Sequence, residues 1–197
     1  MIVYLHGFGS TGLSPKVDKI VSRFPYEQVV APNLPFDPHE VEQIVLDIVK
    51  EYVENKKKNE KLIFVGTSLG AFYARYFSNI YDCPAILVNP SLMPSVTLKQ
   101  KLGVNVNYHT KEEFLVKMCH LNKLEDIANH IDLYAFKENN VHIFLAKDDE
   151  VIPYEIALKF FTHGYNVSNN QLKVMDDGGH RFDKHWNLVL NKIEELI

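Results

Sequence analysis

The sequence predicts an α/β fold: about six strands in a mainly parallel sheet, helices on both faces, and an inserted segment between the fourth and fifth strands. Three observations predict it. Short apolar runs (Ile2 to Leu5, Gln28 to Ala31, Leu62 to Val65, Ala85 to Val88, His142 to Ala146, Gln171 to Met175) are bounded by turn residues, as buried strands are. Segments with apolar residues at helical spacing alternate with these runs, which implies right-handed crossovers and a parallel sheet. Glycine, aspartate and histidine gather directly after the runs, at the carboxyl ends of the strands where such sheets carry their sites.

The elements follow in order. Ile2-Val3-Tyr4-Leu5 ends in His6-Gly7-Phe8-Gly9-Ser10, and Ser14-Pro15 offers an N-cap and first position for a helix with Val17, Ile20, Val21 and Phe24 inward. Gln28 to Ala31 is a second short strand, and Pro32 and Pro35 mark the loop after it. Asp37 caps a helix with Pro38 at its first position and Val41, Ile44, Val45, Ile48, Val49 and Tyr52 on one stripe. Lys56-Lys57-Lys58 reads as a solvated turn. The third strand, Leu62 to Val65, breaks into Gly66-Thr67-Ser68-Leu69-Gly70, and Phe72, Tyr73, Tyr76 and Phe77 follow at helical spacing.

Between Asn89-Pro90 and the next strand, residues 91–141 are too long for a plain loop and read as an insertion, which either roofs the strand-end cleft or is a plain connecting helix with long loops. Within it Lys99 to Thr110 is polar and irregular, and Phe114, Leu115 and Met118 suggest one helix face. Pro153 to Phe161 reads as a helix stopped by Gly164, and Trp186, Leu188, Val189, Leu190, Ile193 and Leu196 mark a closing helix.

The chain of 197 residues, 46% hydrophobic and 23% charged, is about one domain, residues 1–197, able to bury a full core. A net charge of −4 gives no footprint for nucleic acid or anionic membrane. Its apolar runs are short for a membrane span, and no signal-like N-terminus is seen, so a cytoplasmic protein is expected. Cys83 and Cys119 lack metal-ligand spacing and read as buried reduced thiols.

Gly-x-Ser-x-Gly between a strand and a helix reads as a nucleophile elbow, with Ser68 held in a strained backbone at the turn. A serine hydroxyl needs an imidazole to take its proton and a carboxylate to orient that imidazole. His180, after Gly178-Gly179, is the base that the strand ends offer. Asp148 and Asp149 compete as the acid, and neighbours on an extended chain point opposite ways, so only one should face His180. Asp176 and Asp177 read as turn formers and His185 as a helix-face residue. The Leu69 N–H at a helix N-terminus and the Phe8 N–H in a glycine-rich loop would form an oxyanion hole. His180, Asp183 and His185 match no helical zinc motif, so no metal site is expected.

Together, Tyr4-Leu5-His6-Gly7-Phe8, Val65-Gly66-Thr67-Ser68-Leu69-Gly70, Val88-Asn89-Pro90, Asp149-Glu150-Val151 and Gly178-Gly179-His180-Arg181-Phe182 resemble an α/β-hydrolase, and more narrowly the small YqiA-type esterases, long classed as an uncharacterised family. The resemblance spans nearly the whole chain. It implies a truncated α/β-hydrolase fold lacking the antiparallel hairpin that larger relatives place first, with an edge left at Gln28 to Ala31 or its neighbours, where Pro25 and Pro32 discourage pairing. It further implies Ser68 as nucleophile, His180 as base and Asp149, the aspartate of the Asp-Glu-Val step, as acid. The implied reaction is carboxylic-ester hydrolysis, with thioesters open, on a small-molecule substrate and without a cofactor. Ala71-Phe72 and Pro153 depart from the family pattern; neither touches the triad, and both bear on pocket shape. Met93, Phe114 and Met118, in the insertion, are the candidates for contacting the acyl group. Competing readings are an acyltransferase on the same triad and a catalytically silent binding protein of the same fold.

Overall fold

A computed structural model describes residues 1–55, 60–133, 141–164, 167–168 and 170–197. Six strands, β1 (Ile2–Leu5), β2 (Val29–Val30), β3 (Ile63–Thr67), β4 (Ala85–Val88), β7 (Val141–Ala146) and β8 (Leu172–Met175), form one sheet in the order β2-β1-β3-β4-β7-β8, all parallel. A separate antiparallel ribbon pairs β5 (Gly103–Val106) with β6 (Glu113–Val116). The helices are α1 (Pro15–Arg23), α2 (Pro38–Asn55), α3 (Leu69–Tyr81), α4 (Pro94–Thr97), α5 (Met118–Leu133), α6 (Tyr154–Lys159) and α7 (Trp186–Leu196).

Strand periodicity builds the two layers. In β1, Val3 and Leu5 join a core with α2, α3, α5 and α6, while Ile2 and Tyr4 point the other way into a core with α1 and α7. The central strands are buried on both faces except at Thr67, the last residue of β3, which is why their runs are apolar up to that end. Helix α3 lies over the middle of the sheet, and Leu69 to Ser78 are all buried. At one edge β2 is only two residues long between Pro25 and Pro32, a short template for unwanted pairing.

Several expectations are corrected. Phe114 and Leu115 lie on β6, not on a helix face; the strand ends at Val116 and α5 starts at Met118. The stretch from Lys99 to Thr110 contains β5. Ser14 precedes α1 without a capping hydrogen bond from its side chain, whereas the Asp37 carboxylate accepts one from the His39 N–H at 2.9 Å. Pro153 precedes α6, which passes into a π-helical turn over Phe160–Gly164. Both cysteines are free, but only Cys83 is buried, where desolvation pushes its thiol up to about 12; Cys119 is exposed. Lys56, Lys57 and Lys58 lie outside the described residues. Among the described residues no helix is long and apolar enough to cross a membrane.

His142 generates a testable consequence. It sits on β7 with its Nδ1 buried and unpartnered; burial first, then the Lys192 charge, push its pKa down to about 4. Above pH 6.5 the folded and unfolded chains are both neutral at this position, so it adds no pH dependence. Below that, the unfolded chain takes a proton that the folded chain refuses, so stability falls with pH until about 4. Urea titrations should show this loss as pH is lowered from 6.5 towards 4, and His142→Phe should remove it.

Candidate active site

The site is built at the carboxyl ends of β1, β3, β4, β7 and β8. Ser68 follows β3 and precedes α3 with φ 55 and ψ −120, a backbone region L-residues avoid. The turn is that tight because two glycines permit it. A Cβ on Gly66 would lie 2.3 Å from the Gly70 carbonyl oxygen, and a Cβ on Gly70 would lie 2.0 Å from that of Leu5. Gly7 makes the third close approach, since a Cβ there would lie 3.1 Å from the Ser68 Cβ and 3.6 Å from its Oγ.

The Ser68 N–H donates to the Val88 carbonyl at 3.0 Å, and the Ser68 carbonyl accepts from Ser91, Ala71 and Phe72. Its hydroxyl makes no cap bond and stays available. Among the described residues the Leu69 and Phe8 N–H groups donate to nothing, so two main-chain donors beside Ser68 are uncommitted. The loop bearing Phe8 is fixed by His6. The Leu34 N–H donates to His6 Nε2 at 2.9 Å, which leaves the ring proton on Nδ1, 2.9 Å from the Gly7 carbonyl. Burial pushes the His6 pKa down and keeps the ring neutral.

Opposite this loop, His180 Nδ1 lies 2.9 Å from Asp149 Oδ2 and 3.0 Å from Oδ1. The carboxylate is 1% exposed and the imidazole 19%. Two amides, Val151 N–H and Ile152 N–H, each donate to Asp149 Oδ1 at 2.8 Å, which turns this carboxylate inward. Asp148 takes a different partner, the Gly179 N–H at 2.7 Å, so the two neighbours do diverge. A carboxylate acceptor at Nδ1 assigns the proton there and leaves Nε2 with its lone pair. Among the described residues Ser68 Oγ and His180 are not hydrogen-bonded to each other; they are tied to one rim by β4, whose Val88 holds Ser68 and whose next residue, Asn89, holds the His180 carbonyl.

The insertion touches the same rim. The Tyr108 N–H donates to the Gly9 carbonyl at 2.8 Å and Asn107 Nδ2 to the Ser10 carbonyl at 2.7 Å. His120 Nε2 lies 3.5 Å from Asp37 Oδ2, and Lys123 pairs with Glu42 at 2.6 Å, binding α5 to α2. Phe114, half-buried, packs edge-on to Phe8 at 5.3 Å and stacks with Phe36 at 5.7 Å; Phe36 also meets Phe8 at 5.2 Å. Phe36 is a site neighbour that the sequence reading missed; its signal was an aromatic residue in the loop after a strand end. Met93 and Met118 are 54% and 51% exposed and outside this aromatic cluster's ring contacts. His185 pairs with Asp177 at 2.6 Å, outside the set. Among the described residues no three His, Cys, Asp or Glu side chains gather as a metal would need.

This parallel sheet, with helices on both faces and a serine at the sharp turn after its third strand, is an α/β-hydrolase fold. Solved structures share it. The chain is similar to Est1E from Butyrivibrio proteoclasticus (TM-score 0.69, 16% identity, covering 98% of this chain and 85% of that one). It is likewise similar to the structure reported for the metagenome-derived lipolytic enzymes LipS and LipT (TM-score 0.67, 14% identity, 98% and 91% covered) and to mouse alpha/beta hydrolase domain-containing protein 10 (0.63, 14%, 99% and 88%). At these identities the likeness concerns fold. Residues 1–196 match the model of an uncharacterised protein family, UPF0227, and the chain belongs to that family. Its relatives include UPF0227 proteins of Shewanella sp. strain MR-7 (24% identity, 79% of this chain and 90% of the relative) and of Enterobacter sp. strain 638 (24%, 85% and 85%).

Proposed function

We propose that the protein is a serine hydrolase that cleaves carboxylic esters of small to medium acyl groups through an acyl-enzyme on Ser68. The observation that carries this reading is the Ser68 backbone. Its conformation costs about 1–3 kcal/mol, and its side chain caps nothing in return. A strained serine at the N-terminus of a buried helix, beside uncommitted amides and across a rim from an Asp–His pair, has the parts that acyl transfer requires.

The steps follow from these groups. Ser68 Oγ attacks the ester carbonyl carbon as its proton passes to His180 Nε2. Asp149 holds the ring by Nδ1 and stabilises the imidazolium. The carbonyl oxygen gains charge and is met by the Leu69 and Phe8 N–H groups, at the positive end of α3. Collapse expels the alcohol, which takes the proton from His180, and leaves acyl-Ser68. Water then repeats the sequence in reverse, with His180 as base, and releases the acid. Thioesters fit the same scheme, since they present the same oxygen and expel a thiol.

Structural neighbours support the reading by analogy: Est1E is described with ferulic acid bound, and LipS and LipT as lipolytic. Residues 91–141 act in this reading as a cap. The ribbon tip rests on the Phe8 loop, and Phe114 joins Phe8 and Phe36 in an aromatic wall where an acyl or alcohol group would lie.

A panel of p-nitrophenyl esters and acyl thioesters of graded chain length tests the proposal. Ser68→Ala should lower kcat by about 10⁴-fold or more with an unchanged melting temperature. Asp149→Asn should lose about 10³–10⁴-fold because the amide favours the wrong imidazole tautomer, and Asp148→Asn far less. Turnover retained by Ser68→Ala would remove Ser68 from the reaction. For the cap, Phe114→Ala should shift the ratio of kcat/KM between long and short esters by about tenfold, on the order of 1–3 kcal/mol. Met93→Ala and Met118→Ala, both at exposed positions, should leave the melting temperature near wild type. An unchanged chain-length profile in all three would place the acyl site elsewhere.

A further inference from the structure

Asp149 is flanked by two more carboxylates, and both are aimed at the main chain of the loop that carries His180. Asp148 Oδ1 accepts from the Gly179 N–H at 2.7 Å, and its Oδ2 from the Gly178 N–H at 3.3 Å. Glu150 Oε2 accepts from the N–H of His180 itself at 3.0 Å. From the opposite side comes Asn89, 2% exposed, whose Nδ2 donates to the carbonyls of Gly179 (3.0 Å) and His180 (3.1 Å). Its Oδ1 accepts the Ala146 N–H at the end of β7. The Phe182 N–H contacts the Gly178 carbonyl at 3.0 Å and that of Gly179 at 3.3 Å.

Every main-chain donor and acceptor from the Gly178 N–H to the His180 carbonyl is therefore held. The loop needs this. Gly178 and Gly179 have φ of 135 and 59, and two successive glycines bring little conformational preference of their own. Left alone they would let the imidazole swing. Three successive N–H groups in such a turn form an anion-receptive concavity, and here the protein fills it with its own side chains.

We propose that Glu150, Asp148 and Asn89 are positioning residues for His180. One tripeptide, Asp148-Asp149-Glu150, sets both the ring and the main chain of the base, with the middle carboxylate on the imidazole and the outer two on the amides. Asn89, one residue past the strand that holds Ser68, locks that unit to the nucleophile's side of the sheet. The inference rests on the reading of His180 as the base, and Glu150 is the member whose contribution separates most cleanly. Its carboxylate binds the His180 N–H and is exposed, so its removal opens no cavity.

The test compares Glu150→Ala with Glu150→Gln in the full chain, by p-nitrophenyl acetate kinetics and by amide hydrogen exchange at residues 178–180. Glutamine keeps an oxygen acceptor for the His180 N–H, and alanine does not. Glu150→Ala should lower kcat by about 10- to 100-fold, the effect of a misplaced catalytic group, with KM near wild type. Its His180 amide should exchange about tenfold faster, the equilibrium value of one hydrogen bond. Glu150→Gln should restore both. Faster exchange in Glu150→Ala with wild-type kcat would overturn the proposal, since the ring would then hold its place without Glu150. Equal loss of kcat in both variants would also overturn it, because charge and not the hydrogen bond would be at work. If the wild-type protein turns over no ester, the proposed activity fails, and the exchange arm still decides this one: unchanged protection in Glu150→Ala refutes the holding role, and loss that Gln reverses supports it. Should Glu150→Ala fail to fold, Asp148→Ala against Asp148→Asn poses the same question at the Gly179 amide.

Discussion

The close crossing of α3 over β1 and β3 is the constraint on which the rest of the molecule depends. Where Gly70 passes the Leu5 carbonyl there is no room for a Cβ, and where Gly66 passes Gly70 there is none either. A helix seated that deeply is buried along most of its length, so it becomes the centre of the larger core and the partner against which α2 and α5 pack. The strand must reach it in one turn, and Ser68 takes up the unfavourable backbone angles. That turn brings a hydroxyl, a helix N-terminus and the Phe8 loop together in one place. Gly7 completes the fit, since any side chain there would press on the Ser68 Cβ.

The second organising feature is how the histidine loop is supported. A glycine pair gives the chain freedom to bring His180 over the strand ends, and side chains from the ends of β4 and β7 then take that freedom away. Flexibility in the backbone is thus offset by hydrogen bonds from rigid elements. The Asp149 carboxylate is itself fixed by two amides, so the orientation of the imidazole traces back to the turn after β7.

The sharp turn at Ser68 was legible because its Gly-x-Ser-x-Gly pattern lies within five residues, between a strand and a helix that carry their own periodicities, whereas the Leu5 carbonyl and Gly7 that close in on it come from elsewhere in the chain. Alternating strands and helices likewise showed that the sheet is parallel, but not the order of its strands, which depends on where each crossover lands in the fold. The choice between Asp148 and Asp149 was not legible from the residues alone. It is decided by which carboxylate the Val151 and Ile152 amides capture, a fact of the folded turn. The β5–β6 ribbon was missed for a different reason. Val104 and Leu115 are paired outward and exposed while Phe114 turns inward, so apolar residues occupy both faces and the period-2 signal vanishes. Phe36 escaped notice because its partners, Phe8 and Phe114, come from distant parts of the chain.

The central claim is that Ser68 is a nucleophile made reactive by its surroundings. The most direct measurement is covalent labelling of the folded protein with a fluorophosphonate, followed by peptide mass spectrometry to locate the adduct. The account predicts a single adduct on Ser68 that is lost when the protein is denatured before labelling. A folded protein that stays unlabelled, or an adduct on another serine, would contradict it.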